Sequence, residues 1–331
     1  MPDEADCDCW PVHITFYNRS AINKLTNGGS TVNLCAIDLS KAFDKTNHHA
    51  LLMKLMKRHI PVDLLDILEF WLGNSWSCIK WLGVFSAPFK IGFGVRQGSV
   101  LSPFLFAVYL NDLALPQRNG LNNCIILYAD DILLFSPSLC RLQLLLAECE
   151  RELTDLDMSI NVRKSCCLRI GPRFDAQCAN IVTLTGHVLP WVDNMRYLGI
   201  YILSSRTFSC SLDQAKRAYF RSLNAIFGKV GRIASEEVVL QLVASKCLPI
   251  LLYGTEACGL RKSEIRSLDF LVTRFLMRLF QTNNMNIIKD CITFFDFKLP
   301  SSLLVTRASK FIANYNASEN LLCRMARDPA S

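Results

Sequence analysis

Apolar and polar positions divide the chain into a strand-rich first part and a helical last part. Residues 1–30 carry little pattern and end in Asn27-Gly28-Gly29-Ser30, a loop signal. The β-rich run Val32-Asn33-Leu34-Cys35-Ala36-Ile37-Asp38 predicts a strand over 31–38. A helix is expected near 41–58, with Leu51, Leu52, Leu55 and Met56 on one face. Another is expected over 62–73, with Leu64, Leu65, Leu68 and Trp71 as its apolar side. Residues 75–81 and 85–92 read as a hairpin, 94–103 as a Gly/Ser/Pro loop and 104–114 as a very apolar helix. A second hairpin spans 123–136. The helix over 139–156 is clearly amphipathic, with Leu142, Leu145, Leu146, Cys149 and Leu153 on one face. Strands are expected near 159–170, 181–184, 187–192 and 196–203. From about 210 the pattern is helical, with breaks at 228–231, Pro249, 254–259, Asn283-Asn284 and Pro300.

The chemistry concentrates at Tyr128-Ala129-Asp130-Asp131, which lies between the apolar runs 124–127 and 132–135. Aspartate is a poor strand residue and is costly to bury unpaired, so two in succession between strands need a reason. A plain β-turn is one. A divalent cation is another, because Mg²⁺ favours one or two carboxylates together with substrate phosphates. A third carboxylate ends the first strand at Asp38, 92 residues earlier. A strand that ends in Asp and runs into a helix places the carboxylate at the carboxyl edge of a sheet.

Composition narrows the class. The chain has 331 residues, 51% hydrophobic and 20% charged, and so is long enough for a large core and two or three subdomains. No run is read as approaching the ~20 apolar residues of a membrane span. The acidic N-terminus has no basic stretch followed by an apolar one, so no secretory signal is expected. Fifteen scattered cysteines without a Cys-x-x-Cys pair read as free buried thiols in a reducing compartment. His48-His49 reads as structural, since adjacent helical residues face different ways. The net charge of +7 is uneven: residues 1–203 hold 18 Lys/Arg and 19 Asp/Glu, whereas 204–331 hold 18 and 10. A basic helical half suits an enzyme that grips a polyanion, and a solvated basic surface would look the same.

Five segments then occur in order: Asp38-Leu39-Ser40-Lys41-Ala42-Phe43-Asp44, Gly94-Val95-Arg96-Gln97-Gly98-Ser99-Val100-Leu101-Ser102-Pro103, Tyr128-Ala129-Asp130-Asp131, Asn161-Val162-Arg163-Lys164-Ser165 and Tyr197-Leu198-Gly199. Together they resemble the reverse transcriptases of non-LTR (LINE-type) retrotransposons, strongly over 32–203 and more weakly beyond. The resemblance implies an α+β right-hand polymerase: a palm of antiparallel sheet backed by helices over 31–203, a helical basic thumb-like region over 204–331, and 1–30 as a fingers remnant or linker. It implies RNA-directed DNA synthesis from dNTPs onto a primer 3′-hydroxyl on an RNA template. Two Mg²⁺ ions, with Mn²⁺ as the alternative, would be held by Asp38, Asp130, Asp131 and the Leu39 carbonyl. Phe43 would exclude a 2′-hydroxyl, although a core Phe at a helix start fits the same position. Gln97 and Gly98 would contact nucleotide and template, and Lys164 would approach the triphosphate. Tyr197, Leu198 and Gly199 would form the primer grip.

The family carries long fingers before the first Asp strand, whereas only 37 residues precede Asp38 here, with Arg19 and Lys24 their only Lys/Arg. No upstream endonuclease and no C-terminal Cys/His knuckle is read either. A fragment is therefore expected, and a relic that binds nucleic acid without polymerising is the rival function. A nucleotide cyclase is the more distant rival, disfavoured by the 96–103 loop and the 197–199 turn. Family resemblance implies an intracellular, nuclear protein with no membrane partner; the oligomeric state is left open.

Overall fold

The β-rich run after the Gly28-Gly29 turn becomes the central strand of the fold. In the computed structural model, which describes residues 10–114, 123–230, 233–318 and 323, helix α1 (Trp10–Asn27) precedes strand β1 (Val32–Asp38). The described residues form two units: 29–195, and 10–28 together with the residues from 196 onward. The reading of 1–30 as unpatterned missed α1. This helix is only weakly amphipathic, with His13, Thr15 and Asn18 among its buried residues, and groups with C-terminal helices, where the sequence reading set 1–30 apart and placed the second boundary at 203.

Within 29–195 the elements are β1, α2 (His48–Lys57), α3 (Val62–Gly73), the short strands β2 (Trp76–Ser77), β3 (Lys80–Trp81), β4 (Val84–Phe85) and β5 (Phe89–Lys90), α4 (Ser102–Leu110), β6 (Cys124–Tyr128), β7 (Asp131–Ser136), α5 (Leu139–Asp155) and β8 (Cys166–Ile170). The small strands β9 (Ile181–Val182) and β10 (Val188–Leu189) follow. Four strands form an antiparallel sheet in the order β6-β7-β1-β8. This α+β arrangement is the palm that the sequence predicts. On one face Cys35, Ile37, Ile132, Leu134 and Cys167 join a core with Leu142, Leu145, Leu146, Cys149 and Leu153 of α5. The apolar stripe of α5 is buried as its period demands. On the other face Val32, Leu34, Leu133, Phe135, Leu168 and Ile170 are buried too, which explains why β1 reads as a continuous apolar run rather than an alternation. Asn33, a buried polar residue of β1, donates from Nδ2 to the carbonyls of Ser136 and Pro137 at 3.1 and 3.2 Å.

Three local expectations change. The single helix over 41–58 is broken: Lys41 has φ 53°, residues 43–45 make a 3-10 turn, and α2 starts only after Asn47, whose side chain accepts from the Ala50 amide at 3.2 Å. Met56 is exposed. In α3 the buried residue is Leu72, while Leu64 and Trp71 face outward. Residues 159–165 are not strand: after the isolated bridge between Ile160 and Leu39 they turn.

In the second unit α1 is fixed by Arg19, whose Nη1 donates to the Ala257 carbonyl at 3.2 Å, and by His13 and Phe16, whose rings pack on Phe311 and Tyr315. Strands β11 (Asn194–Tyr197), β12 (Ile200–Leu203) and β13 (Cys210–Ser211) lead to α6 (Asp213–Val230), α7 (Glu236–Leu242), α8 (Leu248–Leu251), α9 (Thr255–Cys258), α10 (Lys262–Leu279), α11 (Met285–Phe294) and α12 (Pro300–Ala317). Between α7 and α8 the residues Val243–Cys247 form a π-turn. A wider turn there accommodates Pro249, which has no N–H to give and would otherwise crowd the carbonyl four residues earlier. The stretch Glu236–Cys258 has the length and apolar composition of a membrane span, contrary to the sequence expectation, and half of it is buried inside this unit.

None of the described cysteines is in a disulfide; Cys7 and Cys9 lie outside the described residues. Cys78 and Cys140 are exposed, where the sequence reads as buried thiols. In the palm sheet, burial pushes the Cys166 thiol up to about 11, and a hydrogen bond with the cross-strand Cys167 together with burial raises that of Cys35. These thiols stay protonated near neutral pH and act as small core side chains.

Leu134 is fully buried between β1, β6 and the helices. Leu134→Ala is expected to destabilise unit 29–195 by about 2–5 kcal/mol through lost transfer energy and a residual cavity, read as a lowered urea midpoint.

Candidate active site

The register of the central strand assembles the acidic cluster. Asp38, the last residue of β1, lies directly opposite Asp131, the first residue of β7, and Asp131 in turn lies opposite Tyr128 of β6. Directly opposed residues of an antiparallel pair share a face with Cβ atoms about 5 Å apart. Ala129 and Asp130 form the two-residue loop between β6 and β7. Ala129 has φ 50°, the left-handed conformation that primed hairpin turns require at their first loop residue. The loop leaves Asp130 exposed at the tip.

Asp38 is held from the far side by the 161–165 turn. Its backbone N–H donates to Ser165 Oγ at 3.1 Å, and its carbonyl accepts from the Asn161 N–H at 2.8 Å. Its Oδ2 accepts from Asn161 Nδ2 at 3.0 Å and lies 3.5 Å from Lys164 Nζ. Ser165 is buried and donates to the Asn161 carbonyl at 2.9 Å, which closes the turn on itself. Asn161 and Ser165 were legible only as members of a matching segment. Nothing in their spacing shows that they hold the backbone of a residue more than a hundred positions away.

The loop that carries Gln97 and Gly98 is docked on the break between β1 and α2. Gly94 N–H donates to the Thr46 carbonyl at 2.8 Å, and Val95 N–H to the Phe43 carbonyl at 2.8 Å. His48 Nε2 lies 2.7 Å from the Gly94 carbonyl, which gives that histidine the structural role expected of it. Gln97 and Gly98 are exposed; Gln97 Nε2 reaches Asp44 Oδ1 at 3.5 Å, and Gly98 has φ 82°. The Phe43 ring is stacked on Phe106 of α4 with centroids 4.5 Å apart and is half-buried. It therefore serves the core while keeping one side accessible.

Tyr197, Leu198 and Gly199 belong to the second unit. Leu198 (φ 47°) and Gly199 (φ 79°) form the tight turn between β11 and β12. Tyr253 braces this turn through a 3.3 Å hydrogen bond from its hydroxyl to the Leu198 carbonyl. A Cβ on Gly199 would come within 2.8 Å of the Tyr253 ring.

Among the described residues no three His, Cys, Asp or Glu side chains converge into a metal site made of protein alone. The all-oxygen pair Asp38/Asp131 instead fits a cation that completes its shell with water and phosphate oxygens. Two carboxylates directly across a ladder repel one another, and a bound cation relieves that cost.

The sequence model of the family described as "Reverse transcriptase (RNA-dependent DNA polymerase)" matches residues 11–202, more than half of the chain. The protein belongs to the reverse transcriptase family, whose members generally use divalent metal ions. It is 28% identical over 263 residues to the "Probable RNA-directed DNA polymerase from transposon BS" of Drosophila melanogaster, covering 73% of this chain and 28% of that one. To the "RNA-directed DNA polymerase from mobile element jockey" of Drosophila funebris it is 26% identical, covering 78% and 29%. To the "Retrovirus-related Pol polyprotein from type-1 retrotransposable element R2" of Popillia japonica it is also 26% identical, covering 75% and 36%. The chain thus spans about a third of the length of these relatives, all of them from mobile elements, as a LINE-type assignment requires. Among solved structures, a telomerase from Candida tropicalis in complex with a fragment of telomeric RNA aligns over 98% of this chain and 53% of its own, at 12% identity and a TM-score of 0.48.

Gly94 has φ 88°, and a Cβ there would meet the Asp44 backbone at 2.8–3.0 Å. Gly94→Ala is expected to cost about 1–3 kcal/mol and to detach the 94–99 loop. The Val95 amide should then lose hydrogen-exchange protection while amides of β1 keep theirs.

Proposed function

We propose that the chain is the polymerising part of a non-LTR retrotransposon RNA-directed DNA polymerase, adding dNTPs to a primer 3′-hydroxyl on an RNA template. The observation that carries this reading is the in-register Asp38/Asp131 pair at the carboxyl edge of a reverse transcriptase sheet, with Asp130 beside it on the turn. Asp38, Asp130, Asp131 and the Leu39 carbonyl would hold Mg²⁺, or Mn²⁺ in its place. When bound, such ions activate the attacking hydroxyl and stabilise the charge of the leaving pyrophosphate.

The chain's own groups then position and select. Asn161 and Ser165 keep Asp38 in place. Gln97 and Gly98 present an open, exposed loop edge to nucleotide and template. Phe43, backed by Phe106, forms a rigid wall against the sugar and so disfavours a 2′-hydroxyl. Lys164 supplies a mobile cation for the triphosphate. The turn Tyr197-Leu198-Gly199, stiffened by Tyr253, holds the primer end. The excess of 18 Lys/Arg over 10 Asp/Glu after residue 203 supports salt-sensitive binding of the nucleic-acid backbone. Nuclear localisation is part of the proposal by family resemblance alone.

Primer extension on an RNA-template/DNA-primer duplex with Mg²⁺ and dNTPs tests the reading. The native chain should extend, and the Asp130→Ala/Asp131→Ala variant should fall to background with its circular dichroism unchanged. Equal extension by both would sink the site assignment. Salt-sensitive duplex binding by both, without extension by either, would leave a nucleic-acid-binding protein only.

A further inference from the structure

Two side chains of the 161–165 turn meet on one oxygen, Asp38 Oδ2, and they differ in kind. Asn161 contributes a neutral amide donor at 3.0 Å, while Lys164 contributes a full positive charge at 3.5 Å. They also differ in how firmly they are held. Asn161 is half-buried, and its carbonyl accepts the Ser165 hydroxyl and the Lys164 and Ser165 amides. The Lys164 side chain is 69% exposed. An ion pair on so exposed a lysine is weak and is broken at little cost.

We propose that Lys164 is the resident counter-ion of the metal-free site: its ammonium neutralises Asp38 until a divalent cation binds, and that binding sets it free. The inference rests on the reading of Asp38 as a metal ligand. Without a cation, Asp38 and Asp131 repel one another across the ladder, and Lys164 offsets that repulsion. A divalent ion carries twice the charge and coordinates directly, so it displaces the ammonium. Asp38 keeps its place during the exchange, because its bonds from Asn161 and to Ser165 involve uncharged partner groups and do not depend on Lys164's charge. The backbone of Lys164 stays within the turn through its amide bond to the Asn161 carbonyl at 3.1 Å, so only its side chain moves. One residue would thus couple loading of the metal to release of a cation that the incoming triphosphate can use.

The test is Mn²⁺ binding without nucleotide or primer, counted by the electron paramagnetic resonance signal of free Mn²⁺. Lys164→Met should tighten binding by about two- to fivefold, the range spanned by exposed ion pairs. Lys164→Arg, which keeps the cation, should bind no more tightly than the native chain. Asp38→Asn should weaken binding in every background. If Asp38→Asn weakens binding while Lys164→Met binds as the native chain does or less tightly, the counter-ion proposal is overturned and the metal-ligand reading stands. If the native chain binds no Mn²⁺ that is sensitive to Asp38→Asn, both are overturned.

Discussion

The register of β1 between β7 and β8 is the constraint on which the site depends. Side chains alternate faces with a period of two, so a slip of one residue would carry Asp38 to the opposite face and break its pairing with Asp131. Both faces of the sheet are buried and apolar, which leaves hydrophobicity alone unable to choose between registers. Polar groups decide instead. At one end the Asn33 amide reaches the carbonyls at the end of β7. At the other the 161–165 turn grips both backbone groups of Asp38. The ladder is pinned at its two ends and filled with apolar side chains between them.

Two of the positive-φ residues other than glycine, Ala129 and Leu198, sit at the hairpin tips proposed to carry function. Ala129 and Leu198 are left-handed without being glycine, a conformation that costs about 1 kcal/mol or more and persists only where its surroundings enforce it. For Ala129 the enforcing surroundings are the two paired strands, which admit only a two-residue connection. For Leu198 they are the hairpin and the Tyr253 hydroxyl. Both tips are short and stiff, which suits groups that must be placed to a fraction of an ångström.

Neutral scaffolding and mobile charge are kept apart. The residues that fix position here, Asn161, Ser165, His48, Thr46 and Phe106, are held in buried or half-buried contacts. Asp130 and Lys164 stay exposed. Strong electrostatic interactions with a polyanionic partner need charges that can reorganise, whereas geometry needs groups that cannot.

Much of this was legible in the chain. The period of α5, the apolar run of β1 ending in Asp38 and the Tyr128–Asp131 tetrad mark the palm, because burial and metal-binding chemistry restrict residue type locally. The weakly amphipathic α1 went unread because its apolar positions are interleaved with polar ones and yield only a weak stripe. The break at Lys41–Asn47 was hidden because good helix formers surround it, and the docking of the Gly94–Val95 amides on Thr46 and Phe43 overrides their propensity. Residues 159–165 read as strand because Ile160 and Val162 favour strands, yet the hydrogen bonds of Asp38 turn them. The sequence by itself determined which residue types could do chemistry and on which elements they ride, since those choices rest on local propensity and periodicity. Only the tertiary structure decided that Asp38 faces Asp131 and that Asn161 and Lys164 share its oxygen, because these are contacts between residues about a hundred positions apart, set by strand register and by no local pattern.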